Sequence, residues 1–399
     1  MGNEPDLARL RNVVTTLDRY VRVEDFSGYD PYDALNSPIL SRLPGVYPKI
    51  LMTQLFVYSP VDLRGLFSVK PGRNPKALGL FLSAYCSLFK GGFVAQDAFD
   101  AIAASIVGHL HAGRAEGYSH YCWGFNFPWQ DVTRFSDTNL PTIVNTAYVG
   151  NSLLDLYDVT RDASCLHIAE SCCEFILHDL NRTEMENGVC FSYTPIDHHV
   201  VHNANMLGAA FLARVYAYIK DSKLREYAEM AFDYSVSEQK EDGSWAYSKN
   251  PAVGTERMQI DFHQGFILDS ICDIIRYGGR DGADLHDALL RGVKFYKTAQ
   301  FHENGRSKWR LPRAWPVDIH HQAQGILTFA NVHDVIGIPG YLDFAARIAD
   351  YTISEMFNPR GYFNYQKWFW FSNTIPYVRW AQAWMMRALA TMLEVHKRG

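Results

Sequence analysis

No run of apolar residues in this sequence approaches the ~18 needed to cross a membrane, and no cluster of Lys or Arg has the look of a nucleic-acid patch. The 38 basic and 43 acidic residues leave a formal net charge of −5 without strong local bias. Nucleic acid is therefore not an expected partner. Glycine-rich phosphate loops are missing too. "GRNPKALG" lacks the Lys-Ser/Thr of a P-loop, and "GGRDGAD" lacks the strand context of a dinucleotide site, so no organic cofactor is expected. Cysteine is sparse. The seven residues form no Cys-x-x-Cys pair, and Cys172 and Cys173 sit side by side inside a helical pattern. Such usage fits a reduced compartment better than a disulfide framework and offers no metal-ligand set. The opening segment has no apolar signal core, and Asp6 stands where a myristoylation signal starting at Gly2 needs Ser or Thr. The expectation is a cytoplasmic protein without a metal.

Aromatic residues, by contrast, are abundant: 23 Tyr, 24 Phe and 9 Trp make up 14% of the chain. Most rings of this kind fill cores, yet many here stand beside Gly, Asn and Pro in loops, where their faces match the C–H faces of sugars. Of Trp123, Trp129, Trp245, Trp315 and Trp380, at least two are expected to line a sugar groove.

The chain also repeats itself. A small residue recurs inside segments that begin polar and turn apolar: Gly79, Gly150, Gly208, Gly265, Gly325 and Ala383. From Gly150 onward the spacings are 58, 57, 60 and 58 residues. Amphipathic segments such as "DAFDAIAASIVGHLHAG" and "KLREYAEMAFDYSVSEQ" lie between them, with apolar residues at helical spacing. A turn and a short aromatic run follow most of these, as in "NGVCFSY", "DGSWAY", "NGRSKWR" and "RGYFNY". One unit is thus an outer helix, a turn with a short extended stretch, a polar loop and an apolar inner helix. Helix pairs cannot bury their apolar faces alone, and a closed ring removes the open ends. The expected fold is all-α, an (α/α)6 toroid with short β-hairpins in its loops, forming one domain over residues 1–399. The first unit, about 1–110, is irregular.

If every inner helix begins at the same end of the ring, residues just before each repeat's Gly or Ala converge on one mouth. That set contains Trp123, Asn126, Asp131, Asn145, Asp197, His199, His202, Asn203, Asp261, His263, Asp318, His320, His321, Tyr377, Arg379 and Trp380. Simpler roles compete: the four Asp could cap helices or anchor loops, Asn145 and Asn203 could tie loops together, and a lone His could be a core residue.

The segments "GYDPYDALNS", "WGFNFPWQ", "PTIVNTAYVGNSLLDLYDVT", "NANMLGAAFLARVY", "DGSWAY", "DIHHQAQGI" and "IPYVRWAQAWM" resemble proteins encoded in bacterial and archaeal surface-polysaccharide gene clusters. Those are broadly similar to N-acylglucosamine 2-epimerases and glucuronyl C5-epimerases, which implies a helical toroid acting on a sugar. Abstracting a proton beside a carbonyl or carboxylate needs a base, an acid and a group that stabilises the resulting negative charge. His320 is the expected base because it sits five residues before Gly325, as Asn145 and Asn203 precede their glycines. His263, Tyr377 and His202 complete the catalytic candidates, and His320 and His321, being adjacent, are expected to point different ways. Arg379 is the expected anchor for a uronate carboxylate. Trp380, Trp123, Asn126, Asp131, Asn145, Asn203, Asp197, Asp261, Asp318 and His321 are expected to bind substrate. The expected function is sugar epimerase or polysaccharide lyase. The alternatives are a glycoside hydrolase using paired carboxylates and a non-catalytic glycan-binding protein. The oligomeric state is open between monomer and homodimer.

Overall fold

The computed structural model describes residues 7–132, 135–280 and 282–398; the reading of Gly2 and Asp6 falls outside them. Among these residues there are thirteen α-helices. In chain order they are α1 (Leu7–Val23), α2 (Val46–Tyr58), α3 (Pro75–Lys90), α4 (Gln96–Ala112), α5 (Ile143–Thr160), α6 (Ala163–His178), α7 (His202–Ile219), α8 (Ser222–Ser237), α9 (His263–Tyr277), α10 (Ala283–Gln300), α11 (Ile319–Ile336), α12 (Pro339–Met356) and α13 (Trp384–Arg398).

The odd-numbered helices from α3 to α13 are the inner ones. Each packs on the next, and α13 packs back on α3, so the ring closes as the period requires. Inner helices are buried along most of their length, whereas outer ones bury a single face: α8 hides Leu224, Ala228, Ala231, Phe232 and Ser235 at helical spacing. Side-chain caps start several helices. Asn74 accepts from the Lys76 and Ala77 amides ahead of α3, Thr142 from Asn145 ahead of α5, and Asp318 from His320 ahead of α11. The irregular first unit holds α2 and two 3-10 turns between α1 and α3. Strands are short, and all their pairings are antiparallel; the clearest hairpin pairs Arg182–Met185 with Gly188–Phe191. No helix among the described residues is long and apolar enough to cross a membrane.

Two devices recur along the ring and explain the period better than the small residues do. The first is the turn glycine. Gly243 (φ 93°) and Gly305 (φ 86°) adopt a left-handed backbone, and a Cβ on either would fall 2.4 Å from the Arg291 carbonyl oxygen or 2.5 Å from that of Arg347. Each turn is therefore pressed under the next outer helix, α10 or α12. Gly188 meets the Met230 carbonyl of α8 in the same way, and Gly361 lies more loosely against Thr16 of α1, which closes the ring on its outer layer.

The second device is an inner-helix side chain that clips the extended aromatic run after that turn. Gln264 accepts from the Trp245 amide at 2.9 Å and donates to its carbonyl at 2.8 Å. Gln382 does both to Phe363. Gln322 accepts from Ser307, Asn205 from Phe191 and Thr146 from Trp123. These buried amides satisfy backbone groups that no strand partner reaches. Gln322, one of the polar residues crowded into "DIHHQAQG", is thus structural. Gln324 is as well, donating to Asp269 at 2.6 Å.

Candidate functional site

The clip fixes a register. Two residues before Thr146, Asn205, Gln264, Gln322 and Gln382 stand Val144, Asn203, Phe262, His320 and Trp380, and all five line one cavity of about 1190 Å³. Lys76, from the first turn of α3, supplies the sixth inner helix's contribution. The N-terminal turns of all six inner helices therefore face one space, as the sequence predicts. The last of them opens with a π-helical segment, Val378–Ala383. Such irregular turns often mark functional sites, and this one carries Arg379 and Trp380 into the cavity wall.

Two imidazoles lie against the same ring. His263 and His320 each sit 4.3 Å from the Phe262 centroid. His263 Nδ1 is 2.5 Å from Asp261 Oδ1, and the other Asp261 oxygen accepts from Gln259. Burial alone would raise the Asp261 carboxyl, but the adjoining His263 and these hydrogen bonds outweigh it and hold it at about 2. With Nδ1–H committed to a carboxylate, the Nε2 lone pair of His263 is the one available for chemistry. His320 is more enclosed, among Phe262, Trp380 and Trp384, and neither ring nitrogen has a hydrogen-bond partner. Burial, reinforced by the positive charge of Arg379, pushes its pKa well below the usual range, so it is neutral.

Asp318 caps α11 and also receives Trp380 Nε1 at 2.9 Å and Gln366 Nε2 at 3.0 Å. Burial raises it to about 6 despite those donors. Arg379 lines the cavity, but its fork is already taken: Nε lies 2.6 Å and Nη2 2.8 Å from the two oxygens of Asp30. Asp30 therefore occupies the Nε/Nη2 side of the fork, and a substrate carboxylate would have to approach along the Nη1 edge. Asp197 lines the wall, yet its carboxylate accepts from the amides of Tyr193, Thr194 and His199 and from the Thr194 hydroxyl, which makes it a loop anchor. Asp131 and Asn203 line the cavity, the latter with an unpartnered Oδ1. So do Trp129 and Trp380, the two rings the groove expectation needs, and Trp309 joins them.

Other sequence candidates lie elsewhere. Tyr377 is buried behind the wall, where its hydroxyl accepts from Arg64 at 3.1 Å, and burial raises it further from acid duty. His202 faces Tyr234, and His321 packs between Tyr296 and Phe301. Trp123 spends its indole N–H on the Leu110 carbonyl and Trp245 on that of Ser235. Asn126 accepts from Asn74, and Asn145 is sealed in the helix packing. The physical reason is shared. The small residues that set the sequence register drift relative to the clips, so counting from Gly150 points at Asn145 while the cavity receives Val144.

Burial draws the His202 pKa from 6.5 down to about 4. The unfolded chain therefore takes up a proton that the fold excludes, and stability is lost as pH falls from 6.5 towards 4. His202→Phe removes that linkage. Its stability relative to wild type should improve by about 3 kcal/mol between pH 7 and pH 4, read from urea unfolding at both values. An unchanged difference would place His202 in contact with solvent.

Sequence reasoning missed Lys76, Phe262, Tyr32 and Asp30. Lys76 had a visible signal: a cation in the first turn of an apolar helix is opposed by the helix dipole and needs a reason. Among the described residues no three His, Cys, Asp or Glu side chains assemble as a metal-ligand set.

No protein-family model matches the sequence, and no curated protein is similar to it. Solved structures are similar in fold. Cellobiose 2-epimerase from Bacillus thermoamylovorans superposes with a TM-score of 0.63 at 13% identity over 81% of this chain and 88% of that one. A family 76 glycoside hydrolase (mannosidase), Bt3792 from Bacteroides thetaiotaomicron, gives 0.65 at 11% identity over 98% and 99%. A D-mannose isomerase gives 0.60 at 11% over 80% and 86%. With its closed ring of six inner and six outer helices, the chain has the α/α-toroid fold of these enzymes.

Proposed function

We propose that this chain is a carbohydrate-active enzyme that removes a proton beside a sugar carbonyl and returns it, as an epimerase or isomerase. The observation that carries the reading is the Asp261–His263 pair set beside His320 on one Phe262 ring in the cavity. The fold shared with cellobiose 2-epimerase and mannose isomerase supports it. We assign the base to His263 rather than to His320, because Asp261 fixes the Nδ1 side of its ring at the cavity wall, whereas burial and the Arg379 guanidinium oppose a charge at His320. Neutral His320 then serves as the N–H donor to the developing enolate oxygen. Trp380, Phe262 and Trp129 offer faces to the sugar ring. The resemblance to surface-polysaccharide proteins supports a uronic-acid polymer or its precursor as substrate. A lyase shares the first step and differs in expelling the C4 oxygen.

The hydrolase reading is weaker in this geometry. Asp197 and Asp261 spend their oxygens on loop amides and on His263, so the hydrolase would have to rest on Asp318, raised to about 6, and Asp131. Proton NMR in deuterium oxide separates the readings over a panel of mannose, cellobiose and uronic-acid oligosaccharides. Exchange at C2 or C5 is the expected result. A 4,5-unsaturated product indicates the lyase and new reducing ends the hydrolase. No change anywhere, with binding retained, leaves a glycan-binding protein.

A further inference from the structure

Lys76 is the charged residue that the sequence reading passed over. It lines the cavity yet is only 4% exposed. Its Nζ lies 4.2 Å from the ring centroid of Tyr148, 5.1 Å from that of Phe266 and 5.0 Å from that of Trp384. Among the described residues no carboxylate pairs with it: Asp30, which acts on it only at a distance, is held by both arms of Arg379, and Asp318 by Gln366 and Trp380. The side chain belongs to the first turn of α3, where the positive end of the helix dipole opposes a second positive charge. Three physical effects disfavour an ammonium here, namely removal from water, a neighbouring guanidinium and the helix terminus, and they outweigh the pull of the ring faces and of Asp30 towards one. Burial, then Arg379, places its pKa well below that of an ordinary lysine. A lysine so placed is a neutral nucleophile rather than an anchor for anions.

We propose that Lys76 is a covalent carbonyl-binding residue, its Nζ condensing with the aldehyde or ketone of an open-chain sugar in the cavity. The nitrogen lone pair adds to the carbonyl carbon, and an amine proton passes to the oxygen to give a carbinolamine. A second proton, from solvent, reaches that hydroxyl, which leaves as water as the C=N bond forms. The product is an iminium that keeps one hydrogen on nitrogen, and hydrolysis reverses every step. An iminium draws electrons from the adjacent C–H bond, so the proton that His263 is proposed to remove becomes more acidic. The catalytic use of the adduct rests on the function proposed above; its formation does not.

The test incubates the folded protein with D-glyceraldehyde and sodium cyanoborohydride at neutral pH, followed by peptide mapping. Lys76 should carry the reduced adduct about tenfold faster than exposed lysines such as Lys220 and Lys294. Labelling of those lysines with Lys76 untouched overturns the proposal. Lys76→Met, shown to be folded by circular dichroism, keeps the length of the side chain and its lack of charge but has no nucleophilic amine. It should lose both the adduct at this position and at least 100-fold in exchange of the C2 proton, the one next to the C=N bond; C2 exchange at the wild-type rate would also overturn the proposal. An adduct on Lys76 in a protein that exchanges no sugar proton supports the covalent site and defeats the epimerase reading instead.

Discussion

Replacing His263 by Ala is expected to lower turnover of the sugar substrate by about 100- to 10,000-fold, the usual loss when a positioned acid or base is removed. That is about 3–5 kcal/mol of barrier, larger than packing effects alone would give at a partly exposed site. Asp261→Asn should reproduce much of the loss without touching substrate, because an amide can accept the Nδ1–H but cannot stabilise the imidazolium. His320→Ala should also lose turnover heavily, and the double variant should be little worse than either single one, since groups acting in one step are not additive. If both histidine variants keep a confirmed activity while Asp318→Asn or Asp131→Asn abolishes it in folded protein, the carboxylate hydrolase reading takes over.

The ring was legible in the sequence because its cause is periodic. Turn glycines, outer amphipathic faces and inner apolar runs recur at a spacing set by helix length, and each is visible in one dimension. The mouth was legible for the same reason: polar residues ahead of an apolar helix must lie at its N-terminal end. Which side chain of a first turn enters the cavity was harder to read, because one residue turns a helix face by 100°. The small residues used as register marks are free to drift by a few positions, whereas the clips at Thr146, Asn205, Gln264, Gln322 and Gln382 are held by backbone hydrogen bonds. Counting from the clips selects Phe262 and Trp380 along with His320. Lys76 and Asp30 stayed hidden for a different reason. Both come from the irregular first unit, where no repeat offers a comparison, and Asp30 meets Arg379 across 349 residues of chain.

That long-range pair gives the largest expected effect on stability. Asp30 and Arg379 are 5% and 6% exposed at their side chains, and their fork-to-fork geometry satisfies four atoms that have no water to turn to. Removing one partner leaves the other buried and uncompensated, which typically costs about 3–5 kcal/mol, although replacing both by apolar residues is often close to neutral. Asp30→Asn should therefore destabilise strongly, the more so because it leaves a guanidinium beside Lys76 and His320. Arg379→Lys should fare almost as badly, since a single ammonium cannot serve both oxygens. As an anchor for a uronate carboxylate alone, Arg379 would on that substitution mainly lose substrate binding. In the structure its first consequence falls on the fold, because Asp30 also receives the Tyr32 amide, and the Tyr32 ring lies 5.5 Å from that of Trp380. Urea unfolding of Asp30→Leu, Arg379→Met and the double variant forms a cycle in which the double should recover most of the loss. If Asp30→Asn unfolds within about 1 kcal/mol of wild type, the pair is solvated. Arg379 would then be available to a ligand, and its role as the anchor for a uronate carboxylate would return.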